Sequence, residues 1–437
     1  LPQACQFRSN QADQATAAKS WQFVPAITSH GNFHAGLKDC LIRFCYNVIK
    51  LTGVPMKTLQ LRLKSNSDLP KQLASLAAAQ PDLIIVFGGV NFFETPDLAN
   101  ALKACAPNAA LVGCSTAGEI AVDRVYDNNC IITAIHFDNT RVRAVSTAIT
   151  GMADSFGAGA RIGQALPAEG LSGVFILGTG VAINGSAVVA GLQANIAQGI
   201  SISGGLAADA GAFKQTWTLG PDGSSNQHIV AVGLYGDKVQ LSYGTFAGWE
   251  PFGPARKVTR CDQNVLYELD GERALDIYKR YLGDYAKDLP GSGLLFPFEM
   301  FGSEHETSGI FRTILGIDEQ EGSLTLAGDI DPNGFLKLMH SSTDKLIEGA
   351  ETAAKTALGK SSADSDDASV AILVSCIGRK LVMGDRVDEE VEAVANTLGE
   401  NTCVTGYYSN GEIAGTAFHG ECRLHNQTMT ITWISET

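Results

Sequence analysis

Positive charge is scarce in this sequence. Its 32 Lys and Arg residues stand against 46 Asp and Glu, a formal net charge of −14, and no Lys/Arg run exceeds two residues, as at Arg379-Lys380. Nucleic-acid binders neutralise phosphates with a basic face, so nucleic acid is not expected as a partner. An apolar run of about 20 residues, the length that spans a bilayer, is also missing, so no membrane segment is expected. A charged stretch followed by an apolar one is absent from the start of the chain, and no secretory leader is read there. Ten cysteines are present, but none forms C-x-x-C or shows zinc-ligand spacing with histidine. Neither a metal site nor a disulfide framework is expected. Cysteines inside apolar runs, such as Cys130-Ile-Ile-Thr-Ala-Ile135, read as buried free thiols, which suits the reducing cytoplasm. Nucleotide loops are lacking too. Gly157-Ala-Gly-Ala-Arg-Ile-Gly163 follows no strong strand, and Gly178-Thr-Gly-Val-Ala-Ile183 lacks a third glycine and a lysine. No cofactor is expected.

What is abundant is glycine, 47 residues, with 45% hydrophobic and only 18% charged residues. That balance suits many buried strands joined by tight turns. At roughly 100–200 residues per domain, 437 residues make two or three domains. Residues 1–55 differ in texture from the rest, with Cys5, Cys40, Cys45, His30 and His34 among mixed polarity, one amphipathic stretch at Leu37–Leu51 and no strand pattern. We expect an N-terminal extension there, either a gene-model artefact ahead of a native Met56 or a genuine tail. From Met56-Lys-Thr-Leu-Gln-Leu-Arg-Leu63 onward the polarity alternates as in a half-buried strand. The domain boundary is expected near Trp249-Glu-Pro-Phe-Gly-Pro254, giving domains of 56–250 and 251–437, while Gly359–Ala368 reads as a solvated loop.

One unit recurs three times. Its first copy runs from the buried strand Leu83–Phe87, through a helix capped by Thr95 with Pro96 at its first position, to Leu111-Val112 and the turn Gly113-Cys-Ser-Thr-Ala-Gly-Glu119, followed by strands at Cys130–Phe137 and Arg141–Ser146. The second passes from Val174–Leu177, through a helix capped at Ser186, to Ser203-Gly-Gly-Leu-Ala-Ala-Asp209, with strands at Ile229–Tyr235 and Val239–Tyr243. The third runs from Val370–Val374, through a helix with acids at its start and Gly399 past its end, to Gly406-Tyr-Tyr-Ser-Asn-Gly-Glu412 and a closing strand at Met429–Ile434. Glu119, Asp209 and Glu412 take the same place in the pattern. The fold class expected is α/β (mixed α+β): layered mixed sheets with helices on their outer faces, built from repeated β-α-β-β units.

The chain resembles the FIST family, the sensory module named for F-box and intracellular signal transduction proteins. The matching stretches are Leu111–Ile120, Gly204–Asp209, Phe311–Asp318, Leu326–Ile330, Gly406–Ile413 and His425–Thr430, which cover roughly residues 60 to 437 in the family's order. In the family-like turn Gly205-Leu-Ala-Ala-Asp209, Ala208 replaces a glycine. The resemblance implies a FIST N-type and a FIST C-type domain that sense small ligands such as amino acids. No output module is legible in residues 1–55, so either a signal leaves through a separate output protein or the protein simply binds.

An amino-acid-like ligand needs a cation or amides for its carboxylate and an acid for its ammonium. Arg312, mid-strand in Ile-Phe-Arg-Thr-Ile, can grip a carboxylate in bidentate fashion or face solvent on the polar side of the strand. Glu119, Asp209 and Glu412 are candidates for the ammonium, or surface acids at tight turns. Cys114, Ser115, Thr116, Ser409, Asn426 and Gln427 add neutral polar groups, with Tyr407, Tyr408 and Phe301 as walls. Two other classes stay open. Cys114 or Ser115 at a turn after a buried strand suits a hydrolase nucleophile, with His136, His305 or His425 as base, although Gly-x-Ser-x-Gly is absent. A scaffold whose turns only hold the fold is the third reading. A non-catalytic small-ligand sensor is expected.

Overall fold

The computed structural model describes residues 56–359, 368–415 and 422–437. The segment Leu37–Leu51 and most of the loop at 359–368 lie outside them. The first unit comprises β1 (Met56–Leu63), two short helical turns, β2 (Leu83–Gly88), α1 (Asp97–Cys105), β3 (Ala110–Ser115), a hairpin of β4 (Glu119–Ala121) and β5 (Arg124–Tyr126), and β6 (Cys130–Phe137). The second comprises β7 (Arg141–Ala148), α2 (Ser155–Ala165), β8 (Leu171–Gly178), α3 (Gly185–Gln193), β9 (Ser201–Leu206), β10 (Thr218–Gly220), β11 (Gly223–Ser225) and β12 (His228–Tyr235). The third opens with β13 (Val239–Phe246). It resumes at α4 (Thr343–Leu358), β14 (Ser369–Cys376), α5 (Val387–Leu398), β15 (Thr402–Ser409), β16 (Gly411–Gly415), β17 (Cys422–His425) and β18 (Met429–Glu436).

The architecture is mixed α+β, as expected from the sequence. Each unit builds a sheet around one parallel pair, β2 with β3, β8 with β9 and β14 with β15. The strand pairings add two features that the repeat alone did not show. The fourth strand expected at the end of the first and second copies instead opens the next unit: β7 pairs with β12 and β13 with β18. And each unit gives its hairpin away. The β4–β5 hairpin joins the third sheet through β15, β16–β17 joins the second through β9, and β10–β11 joins the first through β3. The exchange closes a ring of three sheets, none of which is complete without a neighbour.

Strand alternation explains the layers. In β2, Leu83, Ile85 and Phe87 point into a core shared by all three sheets, beside Phe175 and Leu177 of β8 and Val370, Ile372 and Val374 of β14. The intervening Ile84 and Val86, Val174 and Ile176, and Ala371 and Leu373 pack under each sheet's own helices. Strands buried on both faces read as the continuous apolar runs seen in the sequence. Helix starts differ from expectation by a residue or two. Asp97, one residue after Pro96, opens α1, and Thr95 bonds the Asp97 carboxylate instead of capping. In α3 the cap is Asn184, not Ser186: its side chain accepts from the Ala187 amide at 3.1 Å.

Between β13 and α4 lies an insertion with its own eight-stranded antiparallel sheet and the helix Ala274–Leu282 over a separate apolar core. Its long strand Glu250–Asp262 runs through the Pro/Gly-bearing stretch 249–254. The insertion binds back to the third unit. Gln427 Nε2 donates to the Leu294 carbonyl and the Thr313 hydroxyl, and Trp249 Nε1 donates to the Gln427 carbonyl.

Candidate functional site

The three glycine turns meet at the centre of the ring. Each follows a glycine whose Cα faces the carbonyl of the parallel neighbour: Gly113 against Val86, Gly204 against Ile176, and Gly406 against Leu373. From these glycines the turns superpose by sequence, and the hydrogen bonds agree. The amides of Ala117, Ala208 and Asn410, each four residues on, donate to the carbonyls of Tyr408, Ser115 and Leu206 at 2.8, 2.8 and 3.3 Å. This register corrects one expectation. Glu119 and Glu412 are equivalent, but Asp209 stands one residue earlier, in the place of Gly118 and Gly411, while Ala210 occupies the place of the two glutamates.

The acids accordingly do different things. Thr116 Oγ1 donates to Glu119 at 2.5 Å and the Asn129 amide donates to its other oxygen at 2.9 Å. Ser409 Oγ donates to Glu412 at 2.6 Å, and the Thr428 amide and hydroxyl donate to its second oxygen. In both units the glutamate ties the turn to the residue just before the closing strand. Asp209 instead accepts the amides of Phe213, Lys214 and Gln215 at 2.8, 2.6 and 3.0 Å, folding the strap that leads to β10. All three acids are buried.

The centre itself is filled. Tyr407, which follows Gly406, lies stacked on Phe87 with ring centroids 4.6 Å apart. Its hydroxyl faces the Cys114 thiol, a weak partner, and reaches no nitrogen or oxygen. Burial raises the Cys114 thiol well above its usual range, the opposite of an activated nucleophile. Ser115 Oγ donates to the Ala208 carbonyl at 2.7 Å and accepts the Trp217 amide at 2.9 Å. Arg312 is buried, not solvent-facing. It ends its strand donating to the carbonyls of Asp329, Phe311 and Leu424, and burial pulls it down to about 10. Asn426 and Gln427 are buried on the loop that holds the insertion. Thus Cys114, Ser115, Thr116 and Glu119 gather at the central turns, Ser409 and Glu412 clamp the third, and Arg312 and Gln427 bind the insertion to it.

Open space lies elsewhere. A cleft of about 520 Å³ sits beyond the end of β8, between Thr179–Ala182, the strap residues Lys214–Thr216, Ile149–Gly151 after β7, and Asn226-Gln227 before β12. Thr179, Thr216 and Ile149 form its buried floor, and Lys214, Gln215, Asn226 and Gln227 its exposed rim. Ligands of α/β sheets commonly bind at such carboxyl ends of parallel strands. Of the candidate site residues named from the sequence only Asp209 touches this region, through the strap amides. The signal was present in Gly178-Thr-Gly-Val-Ala, a glycine loop directly after a buried strand, which nucleotide motifs alone do not recognise.

Burial pushes Glu119 up to about 7 and Glu412 up to about 8, against the opposing hydrogen bonds just described. It pulls His425 down to about 4. A raised folded-state carboxyl binds protons that the unfolded chain has released, so stability falls as pH rises from about 4.5 to 8. A depressed histidine works the other way, losing stability as pH falls from 6.5 towards 4. Above pH 6.5 the two glutamates act alone among these three. Urea midpoints should therefore decline from pH 6.5 to 8, and the decline should flatten in Glu119→Gln and Glu412→Gln. An unchanged slope in both variants would refute the assignment.

A ring of three mixed sheets with exchanged hairpins, central acid-clamped turns and a peripheral cleft defines the class of this protein. Family models place it: the FIST N domain matches residues 82–272 and the FIST C domain residues 274–415, and the chain belongs to the FIST family. FIST domains are sensory domains of signal transduction. An uncharacterized protein of Methanocaldococcus jannaschii is 28% identical over 160 residues, 34% of this chain. The match spans only 31% of that relative's length. Among solved structures, the cyanuric acid hydrolase from A. caulinodans overlays 87% of this chain and 99% of its own at 10% identity, TM-score 0.38. The PurLQS structure from Thermotoga maritima overlays 88% and 74% at 9% identity, TM-score 0.19. No helix among the described residues is long and apolar enough to cross a membrane.

Proposed function

We propose that this FIST protein is a non-catalytic sensor that binds a small metabolite in the cleft beyond β8 and passes the signal to a separate output protein. The observation that carries this is the cleft: its 520 Å³ falls within the roughly 300–1,000 Å³ of small-molecule sites, and it combines an apolar wall with hydroxyl and amide groups. Non-catalytic binding suits the raised thiol of Cys114 and the doubly bonded hydroxyl of Ser115. A reducing, cytoplasmic setting suits the seven free cysteines among the described residues.

The strap gives the signal a route. It lines the cleft at Lys214–Thr216, and it is stitched to the first unit by Trp217 and Ser115, each bonding the other, and by the Ala210 amide on the Thr116 carbonyl. A ligand that orders the strap therefore tightens the contact between two units. Thermal-shift measurement with amino acids and related metabolites tests the reading. A true ligand at 100 times its dissociation constant adds about 2.7 kcal/mol of stability, a shift of several degrees. Absence of a shift with every metabolite would sink it.

A further inference from the structure

Charge in the cleft is one-sided. Lys214 supplies a cation, and no Asp or Glu lines the walls. The acids nearest in sequence are engaged elsewhere: Asp209 accepts three strap amides, Asp154 pairs with Arg161 and accepts the Thr150 amide, and Asp222 accepts the Ser146 hydroxyl. Lys214 makes no ion pair or hydrogen bond through its side chain among the described residues, in a protein whose net charge is −14. Lysines beside open carboxylates elsewhere on this surface do pair, as Lys279 does with Glu319 and Lys345 with Glu348.

Around this cation stand groups that bond uncharged polar atoms: the hydroxyls of Thr150, Thr179 and Thr216 and the side-chain amides of Gln215, Asn226 and Gln227. Ile149, Val181 and Ala182 supply an apolar side. The backbone is strained at the same place. Ala182 has φ 56°, and Phe213, next to Lys214, has φ 52°. Left-handed conformations in such residues persist where the surroundings enforce them, often at ligand clamps.

We infer that the cleft takes a small carboxylic acid with a compact apolar body, its carboxylate held by Lys214 and the neighbouring amides. This rests on the sensory reading of the same cleft, and it narrows that reading: an amino acid is recognised through its carboxylate and body, with no side-chain acid engaging its ammonium. One cation matches the single charge of a monocarboxylate, whereas each further negative charge meets the field of an acidic protein.

Three probes of one shape separate the charges: L-leucine, 4-methylpentanoate, which lacks the ammonium, and 3-methylbutylamine, which lacks the carboxylate. Inorganic phosphate serves as a fourth. Binding is read by thermal shift and by ligand-observed NMR on the full chain. The carboxylate and the amino acid should bind comparably and the amine not at all. Lys214→Ala should weaken the carboxylate about tenfold, as loss of a partly exposed charged hydrogen bond does, and Lys214→Arg should retain most of the affinity. Lys214 is exposed, so both variants should melt like the wild type without ligand. Amine binding equal to that of the acid, binding by phosphate alone, or full affinity in Lys214→Ala overturns the inference. If a neutral or cationic compound from the wider metabolite panel proves to be the ligand, the charge assignment fails while sensing stands. If no compound of any kind binds, both fail.

Discussion

Adding one methyl group at Gly204 should cost on the order of 3 kcal/mol or more, a large fraction of the roughly 5–15 kcal/mol by which folded proteins are stable. A Cβ there would lie closer than 3.0 Å to the carbonyl oxygen, carbonyl carbon and amide nitrogen of Ile176 on the parallel neighbour, and φ is +144°. Neither strand can retreat, because Gly204 sits in register opposite Ile176 in the middle of β8–β9 pairing. Overpacking of this kind typically costs about 1–3 kcal/mol, and a disfavoured backbone adds a further 1–3. Gly113→Ala and Gly406→Ala meet the same carbonyl clash against Val86 and Leu373, without the positive φ, and should each be milder. Gly199→Ala is the control. It shares a positive φ, +88°, but has nothing within 4 Å, and should lose only about 1–2 kcal/mol. Urea unfolding of the four variants checks the order. Equal stability of Gly204→Ala and Gly199→Ala would mean that the close approach of the strands is not what requires glycine.

Removing one partner of the Arg379–Glu390 pair should destabilise by about 3–5 kcal/mol. Both side chains are completely buried. Arg379 donates through Nε to Glu390 at 2.8 Å, through one terminal nitrogen to the Leu346 carbonyl at 2.8 Å, and through the other to the Ala247 carbonyl. The other Glu390 oxygen accepts the Tyr408 hydroxyl at 3.0 Å. The pair therefore joins α4, α5, the end of β13 and the third glycine turn. Arg379→Met leaves Glu390 charged without compensation, and Glu390→Met does the same to Arg379. Replacing both with Met should recover a large part of the loss, because two buried charges with imperfect surroundings are not in themselves a strong source of stability. A double-mutant cycle by urea denaturation measures the coupling. Additive losses would contradict it.

How much of this was legible in the sequence varies by element. The buried strands were plain, because Leu83–Phe87, Val174–Leu177 and Val370–Val374 are apolar on both faces and the structure covers both. The helix before Gly399, observed at Val387–Leu398, was plain from its acidic first turn and that glycine. The repeat was visible, yet its registration was off by one at Asp209, since a small residue before an acid looks the same whichever backbone position it holds. Only the hydrogen bonds between turns fix that position. Arg379 appeared in the sequence merely as part of one of its two-residue basic runs. Its burial depends on carbonyls at Ala247 and Leu346, contributed by segments more than 30 residues away. The site was the least legible part. Residues that looked chemical, such as Ser115, Glu412 and Arg312, are buried and bonded to internal partners in the structure. The residues that line open space, Lys214, Gln215 and Asn226, look like ordinary loop positions.

The sequence by itself determined the local pieces: which segments are strands, where helices lie, and that a glycine turn recurs three times, because these show in periodicity and composition within a few residues. Tertiary structure alone decided that the hairpins are exchanged around a ring and that the acid-bearing turns close upon one another. It alone also placed the open cleft beside the second turn. Those outcomes depend on contacts between residues hundreds of positions apart, whose energies appear only when the three units are brought together. The glycines show both halves. Their presence is written in the chain, but the carbonyl each one makes room for belongs to another strand.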